Sequence, residues 1–240
     1  MTSKTAIVSG GASGIGQAIV QELKRLGTKV ASLDLAASPD ADLSLVCDVG
    51  SDEAVQTCAA QISQQLGPPS IVIHAAGTTF HGPILETATD EFARIFNVNV
   101  QGAVRLVQAF VPKMIEDRSG AFVFISSINA GFATPGQGAY AASKAALDSV
   151  MTTLALELAP NNIRVNTIRP ASIATPMLKN SFGGDATAEA KNQARHPLPR
   201  WGEPEEVAKL AAFLVSDQAS WITGAAYAID GGASITRRGI

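Results

Sequence analysis

The chain has 240 residues, with 18 Lys and Arg against 21 Asp and Glu, a net charge of −3 and a charged fraction of 16%. That balance supplies no basic field for nucleic-acid phosphates or anionic lipid, and 46% apolar residues exclude a disordered chain. The longest apolar runs, such as Leu210–Val215, are far too short to span a bilayer.

Short β-branched runs alternate with longer helical stretches from end to end, which predicts a single α/β domain over residues 1–240. Met1–Lys4 leads straight into the first run, so no signal peptide is expected and the protein reads as cytoplasmic. The predicted strands are Thr5–Ser9, Val30–Asp34, Leu43–Val46, Ile71–His74, Ala121–Ser126, Arg164–Ile168 and Ala226–Ile229. Several are nearly continuous apolar runs, as strands covered on both faces should be. Between them lie helical stripes of period 3.6. Ile15, Ile19, Leu23 and Leu26 form one. Phe92, Ile95, Phe96, Ala103, Leu106, Val107, Phe110 and Met114 form a second, and Leu147, Val150, Met151, Leu154 and Leu158 a third. The stretch Ala171–Arg200 shows no such period and predicts a structureless lid. Two cysteines, Cys47 and Cys58, fall short of a disulfide framework, and no Cys/His cluster has metal-ligand spacing.

The first strand runs into Ser9-Gly10-Gly11-Ala12-Ser13-Gly14-Ile15-Gly16, followed by a helix. Gly10 permits the tight turn, Gly14 lets backbone approach a pyrophosphate, and Gly16 allows close helix–strand packing. The helix N-terminus adds free N–H groups and a positive dipole end. Asp34 ends the next strand, where a carboxylate can take two ribose hydroxyls and would repel a 2′-phosphate. No Lys or Arg occurs from residue 30 to 93, and Ser13 is neutral. NAD(H) is therefore expected over NADP(H).

Tyr140 and Lys144 stand four apart on a predicted helix and share one face. Ser127 lies thirteen residues earlier, just past an apolar strand that opens onto the ligand crevice of a parallel sheet.

With these motifs in order, the chain resembles the short-chain dehydrogenase/reductase family over nearly its whole length. The glycine turn matches that family's, with Ser9 for Thr. Asp48-Val49 matches its adenine-contact pair, and Val98-Asn99 its helix asparagine. Ser127, Tyr140 and Lys144 match its Ser, Tyr and Lys. Pro170 to Thr175, Ile222-Thr223-Gly224 and Asp230-Gly231-Gly232 match its later segments. The resemblance implies a doubly wound sheet of about seven parallel strands in the order 3-2-1-4-5-6-7. It also implies hydride transfer between a secondary alcohol or ketone and NAD(H). Tyr140 would be the general base or acid, Ser127 would hold the substrate oxygen, and Lys144 would lower the Tyr140 pKa and hold the ribose. Asn99 would hold a water in a proton relay. Ala76, Gly77, Ile173 and Thr175 would contact the cofactor. A homotetramer through the long helices and the C-terminal region is implied as well, with a dimer as the smaller assembly.

Two departures stand out. His74-Ala75-Ala76-Gly77 has His where the family usually has Asn, and a structural hydrogen-bonding role is expected for it. Ala171 follows Pro170 in place of Gly. The substrate pocket is expected at Thr79, Phe80, His81, Asn129, Phe132, Gln137 and Ser172, with Met177, Leu178, Phe182 and His196 closing over it. His81 and His196 are expected at the surface. Two other readings compete: an NADPH-dependent 3-oxoacyl-type ketoreductase, and a catalytically silent NAD-binding protein on the same fold.

Overall fold

A computed structural model describes residues 4–236; the first three and last four positions of the expected domain lie outside the described residues. Seven strands form one all-parallel sheet in the order β3-β2-β1-β4-β5-β6-β7. They are β1 (Thr5–Ser9), β2 (Lys29–Asp34), β3 (Leu43–Val46), β4 (Ile71–His74), β5 (Gly120–Ile125), β6 (Ile163–Pro170) and β7 (Ala226–Ile229). The order matches the expected one. The central strands β1 and β4 are buried throughout, while the edge strands β3 and β7 are half-covered.

Alternate residues of each strand enter opposite cores, as period-2 geometry requires. Ile7, Val72, Phe122 and Val165 join one core beneath α2 (Asp52–Gln65), α4 (Gly102–Asp117) and α5 (Gly138–Leu158). Ala6, Val8, Ile71, Ile73 and Val123 join the other, beneath α1 (Gly14–Arg25) and α8 (Pro204–Val215). The chain winds outward from β1 to β2 and β3, then crosses back to place β4 on the other side of β1. This reversal opens a crevice beyond the carboxyl ends of β1 and β4, where Ser9 pairs with His74.

Two expected elements differ. The stripe Phe92–Met114 is helical but interrupted: α3 (Thr89–Phe96) leads through a π-helical turn, Asn97–Gln101, into α4. One residue too many for an α-turn is accommodated there, a feature common beside functional sites. The stretch 171–200 is also not structureless, for it contains α6 (Pro176–Phe182) and α7 (Ala186–Gln193). Both are short and bury no residue, so neither leaves an apolar stripe to be read. Local caps hold them: Thr175 Oγ1 accepts from the Leu178 N–H, and Asp185 accepts from Thr187 and Ala188. Among the described residues no helix is long and apolar enough to cross a membrane.

Candidate active site

The glycine turn closes the amino end of the crevice. Gly10 has φ +73° and Gly14 φ +53°, conformations that exclude most side chains. A Cβ on Gly10 would lie 2.6 Å from the Ala76 nitrogen, and one on Gly16 would lie 2.0 Å from the Gly10 carbonyl oxygen. The first glycine therefore brings β1 and β4 loops together, and the third packs helix on strand. Ser13 makes no side-chain cap to α1, and the first turn of that helix contains no acid. The leading N–H groups are thus left for an anion, which fits a pyrophosphate.

Asp34 stands beside this turn. Its Oδ2 accepts from the Ala12 N–H at 3.0 Å and its Oδ1 from the Ala36 N–H at 3.1 Å. The other acids of the cation-free stretch have different duties. Asp40 accepts from the Gln17 and Gln21 amides, and Asp42 holds the Val30 N–H and pairs with Lys24 at 3.0 Å. The segment after β2 is drawn onto the turn by Ser38, whose hydroxyl donates to the Gly11 carbonyl. Asp48 accepts from the Gly50 N–H, and Val49 is buried, with its carbonyl held by Arg105.

Ser127, Tyr140, Lys144 and Asn99 converge at the same edge of the sheet. Ser127 follows β5, accepts the Asn129 N–H at 3.1 Å and lies close enough to the Tyr140 phenol to favour its ionisation. Tyr140 and Lys144 lie on the first turns of α5, and the Lys144 Nζ is 5.7 Å from the centre of the Tyr140 ring. That ammonium donates to the Ile125 carbonyl at 2.8 Å. Burial lowers the Lys144 pKa to about 8, opposed by the Asp148 carboxylate. Burial also pushes the Tyr140 phenol above its ordinary value, and the Ser127 hydroxyl only partly offsets this. Desolvation thus acts on the phenol in the direction opposite to the lowering expected from Lys144 together with an oxidised nicotinamide.

Asn99 sits in the π-turn with no exposed surface. Its Oδ1 accepts from the Thr78 N–H at 2.8 Å, and its amide donates to the Thr78 carbonyl at 3.0 Å and the Ser143 hydroxyl at 2.9 Å. One N–H donor holds the loop after β4 and the other holds Ser143 on α5, so a relay water would have neither of them. Gly77 lies in that loop, and a Cβ there would sit 3.4 Å from the Asn99 Oδ1 and 3.5 Å from the Lys144 Nζ. Backbone at Ala76 and Gly77 is thereby exposed to the crevice beside the two side chains.

The far wall is Pro170 to Thr175. Ile173 is buried and bridges Gly202, and the Thr175 methyl lies 3.1 Å from where a Gly14 Cβ would be. Of the expected pocket residues, Thr79 donates to Gln137 at 3.3 Å and Thr134 to Asn129 at 3.1 Å. Ser172 is half-covered and Met177 half-exposed. Phe182 stacks on Trp201 with ring centres 5.7 Å apart, which anchors α6 from outside. His81 is exposed, as expected. His196 is not: it is buried, with Nδ1 against the Gln193 carbonyl at 3.2 Å and its Cβ packed over Gly231. The return of the C-terminal segment covers it, which local sequence could not reveal.

Three contributors escaped the sequence reading. Asp148 continues the ladder of Tyr140 and Lys144 by a further four residues and pairs with Arg169 at 2.6 Å; the spacing was its signal. Arg94 donates to the Thr78 hydroxyl at 2.7 Å, and Arg105 ties Val49 and Asn97 together. Those two had no local signal, since their partners are distant in sequence.

A seven-stranded parallel sheet with this crevice and this Ser–Tyr–Lys cluster defines a dinucleotide-dependent oxidoreductase fold. A family profile described as Enoyl-(Acyl carrier protein) reductase matches residues 10–234. The chain belongs to the short-chain dehydrogenase/reductase family, whose members act on CH–OH or keto groups with a nicotinamide cofactor. It is 35% identical to a 3-oxoacyl-[acyl-carrier-protein] reductase of Pseudomonas aeruginosa, over 97% of this chain and 98% of that one. It is 33% identical to a 4-formylbenzenesulfonate dehydrogenase of Comamonas testosteroni, over 98% and 99%. The ligand-free aldohexose dehydrogenase of Thermoplasma acidophilum superposes with a TM-score of 0.94 at 33% identity, covering 99% of this chain and 96% of that one.

Proposed function

We propose that this protein transfers hydride between a secondary alcohol or ketone and NAD(H), with Tyr140 as general base in oxidation and general acid in reduction. The observation that carries this is the Ser127 hydroxyl beside the Tyr140 phenol with the Lys144 ammonium beside the same ring, at the edge of the sheet next to the glycine turn. Ser127 receives the Asn129 N–H and keeps its own hydrogen for the Tyr140 or substrate oxygen, which orients the reacting hydroxyl. Lys144, pinned to the Ile125 carbonyl, offers a fixed positive charge that favours phenolate. Burial favours the protonated phenol, and further positive charge in the crevice would favour the reactive anion. The nicotinamide, when bound, accepts or delivers the hydride and in its oxidised form adds that charge.

Asp34 supports NAD over NADP: its carboxylate lies beside the turn and accepts the Ala12 N–H. Pro170, Ile173 and Thr175 on one side, with Ala76 and Gly77 on the other, would frame the nicotinamide. A homotetramer belongs to the same reading. Val150 and Leu156 on α5 are exposed, as are Phe213 and Trp221 in the C-terminal region. The relation to 3-oxoacyl-carrier reductases favours a second reading in which the reductive direction on an acyl ketone predominates.

A panel of secondary alcohols and ketones with each cofactor, followed by nicotinamide absorbance, tests the proposal. Turnover with NAD(H) is expected. A clear preference for NADP(H), or NAD binding without turnover across the panel, would overturn it. In Tyr140→Phe turnover should fall by a factor on the order of 10²–10⁴, while NAD still binds.

A further inference from the structure

His74 is a titratable side chain that the proposed chemistry does not use, yet it is fully buried at the centre of the site. It ends β4 and pairs with Ser9, the last residue before the glycine turn. Its Nδ1 is 2.8 Å from the Ser9 hydroxyl oxygen. That oxygen also accepts the Ala76 N–H at 3.4 Å, so the hydroxyl hydrogen is free to point at the ring. An Nδ1 that accepts a hydrogen bond leaves the proton of a neutral imidazole on Nε2.

The other side of the ring faces the π-turn. Nε2 is buried without a hydrogen-bond partner, and the backbone of Val98 and Asn99 adjoins the ring. A π-turn displaces its carbonyls from the regular ladder, which makes them suitable acceptors for an outside donor. The ring stays neutral because burial and the nearby Lys144 charge both oppose imidazolium, holding its pKa near about 3. Phe124 flanks it at 6.3 Å between ring centres.

We infer that His74 is a positioning residue: as the neutral Nε2–H tautomer it is held by Ser9 on the glycine-turn strand and turns its Nε2–H toward the π-turn that carries Asn99. Asn99 in turn holds both backbone groups of Thr78. The loop that exposes Ala76 and Gly77 thus runs between the strand that holds the imidazole and the π-turn that the imidazole faces. The consequence for turnover rests on the proposed function; the tautomer and its bonds do not.

The chain has three histidines, so labelling with ¹⁵N-histidine gives a spectrum simple enough to read on the whole protein. His74 is assigned by the signal lost in His74→Asn. A neutral ring protonated at Nε2 and unchanged between pH 5 and pH 8 is expected, a range spanning the ordinary histidine titration. An Nδ1–H tautomer, or a ring that titrates in that range, would overturn the inference. In His74→Phe a ring is kept while the Ser9 bond and the Nε2–H are lost. Its kcat should fall about tenfold or more, because small misplacements in a reactive site are costly, while NAD affinity holds. His74→Asn, which keeps one donor and one acceptor, should recover part of kcat. A folded His74→Phe with unchanged kcat counts against the inference, and so does one that loses NAD affinity in step with kcat. If His74→Phe fails to fold, or if the wild type proves to turn over nothing, the tautomer still decides.

Discussion

The floor and the roof of the crevice are built differently. The floor consists of strand ends and the first turns of α1, α4 and α5. Asn99, His74, Lys144 and Ser127 are buried there, and each is bonded to backbone or to another buried side chain. The roof, α6 and α7, buries no residue and is held by its caps, by Phe182 on Trp201 and by the Trp201 indole on Asn192. A rigid floor keeps cofactor and reacting groups in register. A roof with few buried contacts can open at small cost in free energy, as substrate entry requires.

The contrast can be tested from its strongest point downward. Gly10→Ala should damage the floor most. It places a Cβ 2.6 Å from the Ala76 nitrogen at φ +73°, and left-handed strain alone costs about 1–3 kcal/mol. A marked drop in Tm together with lost NAD binding is expected; an unaltered Tm would mean that the floor yields as the roof does.

Acid should act on the floor next. His74 is held down to about 3 by burial and the Lys144 charge, from an ordinary 6.5. As pH falls below 6.5 the unfolded chain takes up a proton that the folded protein refuses until about 3. Stability is therefore lost progressively across that window. The fall in Tm between pH 7 and pH 4.5 should be smaller in His74→Asn than in wild type, and equal falls would deny the burial of a neutral ring. Lys144 works at the other end. Its folded value of about 8 lies below the ordinary 10.5, so its contribution to stability rises with pH between the two.

The roof should give the smallest effect. Asp185→Ala removes the cap on α7, worth about 1 kcal/mol. It should raise KM for the substrate with little change in global Tm or in NAD affinity. A large fall in Tm would show that roof and floor unfold as one unit.

Much of the floor is legible in the chain because its determinants are local. A glycine turn between a strand and a helix, an acid at the next strand end, and Tyr140 four residues before Lys144 each depend on backbone geometry within one or two turns. The parallel sheet followed from the alternation of short apolar runs with helical stripes, since parallel strands need crossovers, while its strand order was implied by the family resemblance. The roof was not legible, because helices as short and exposed as α6 and α7 need no apolar period. Nor was the π-turn, whose residues carry an ordinary helical stripe on either side.

By itself, the sequence determined the sheet, the turn and the spacing of the reacting side chains, since those obey short-range rules of sterics and periodicity. Only the tertiary structure decided the states of the buried groups. The same burial that assembles the site also sets its protonation: it lifts the Tyr140 phenol, lowers Lys144 to about 8 and keeps His74 neutral. It buried His196 beneath the returning C-terminal segment and paired Lys24 with Asp42. Desolvation and long-range pairing depend on which residues meet in space, and no local pattern encodes that meeting.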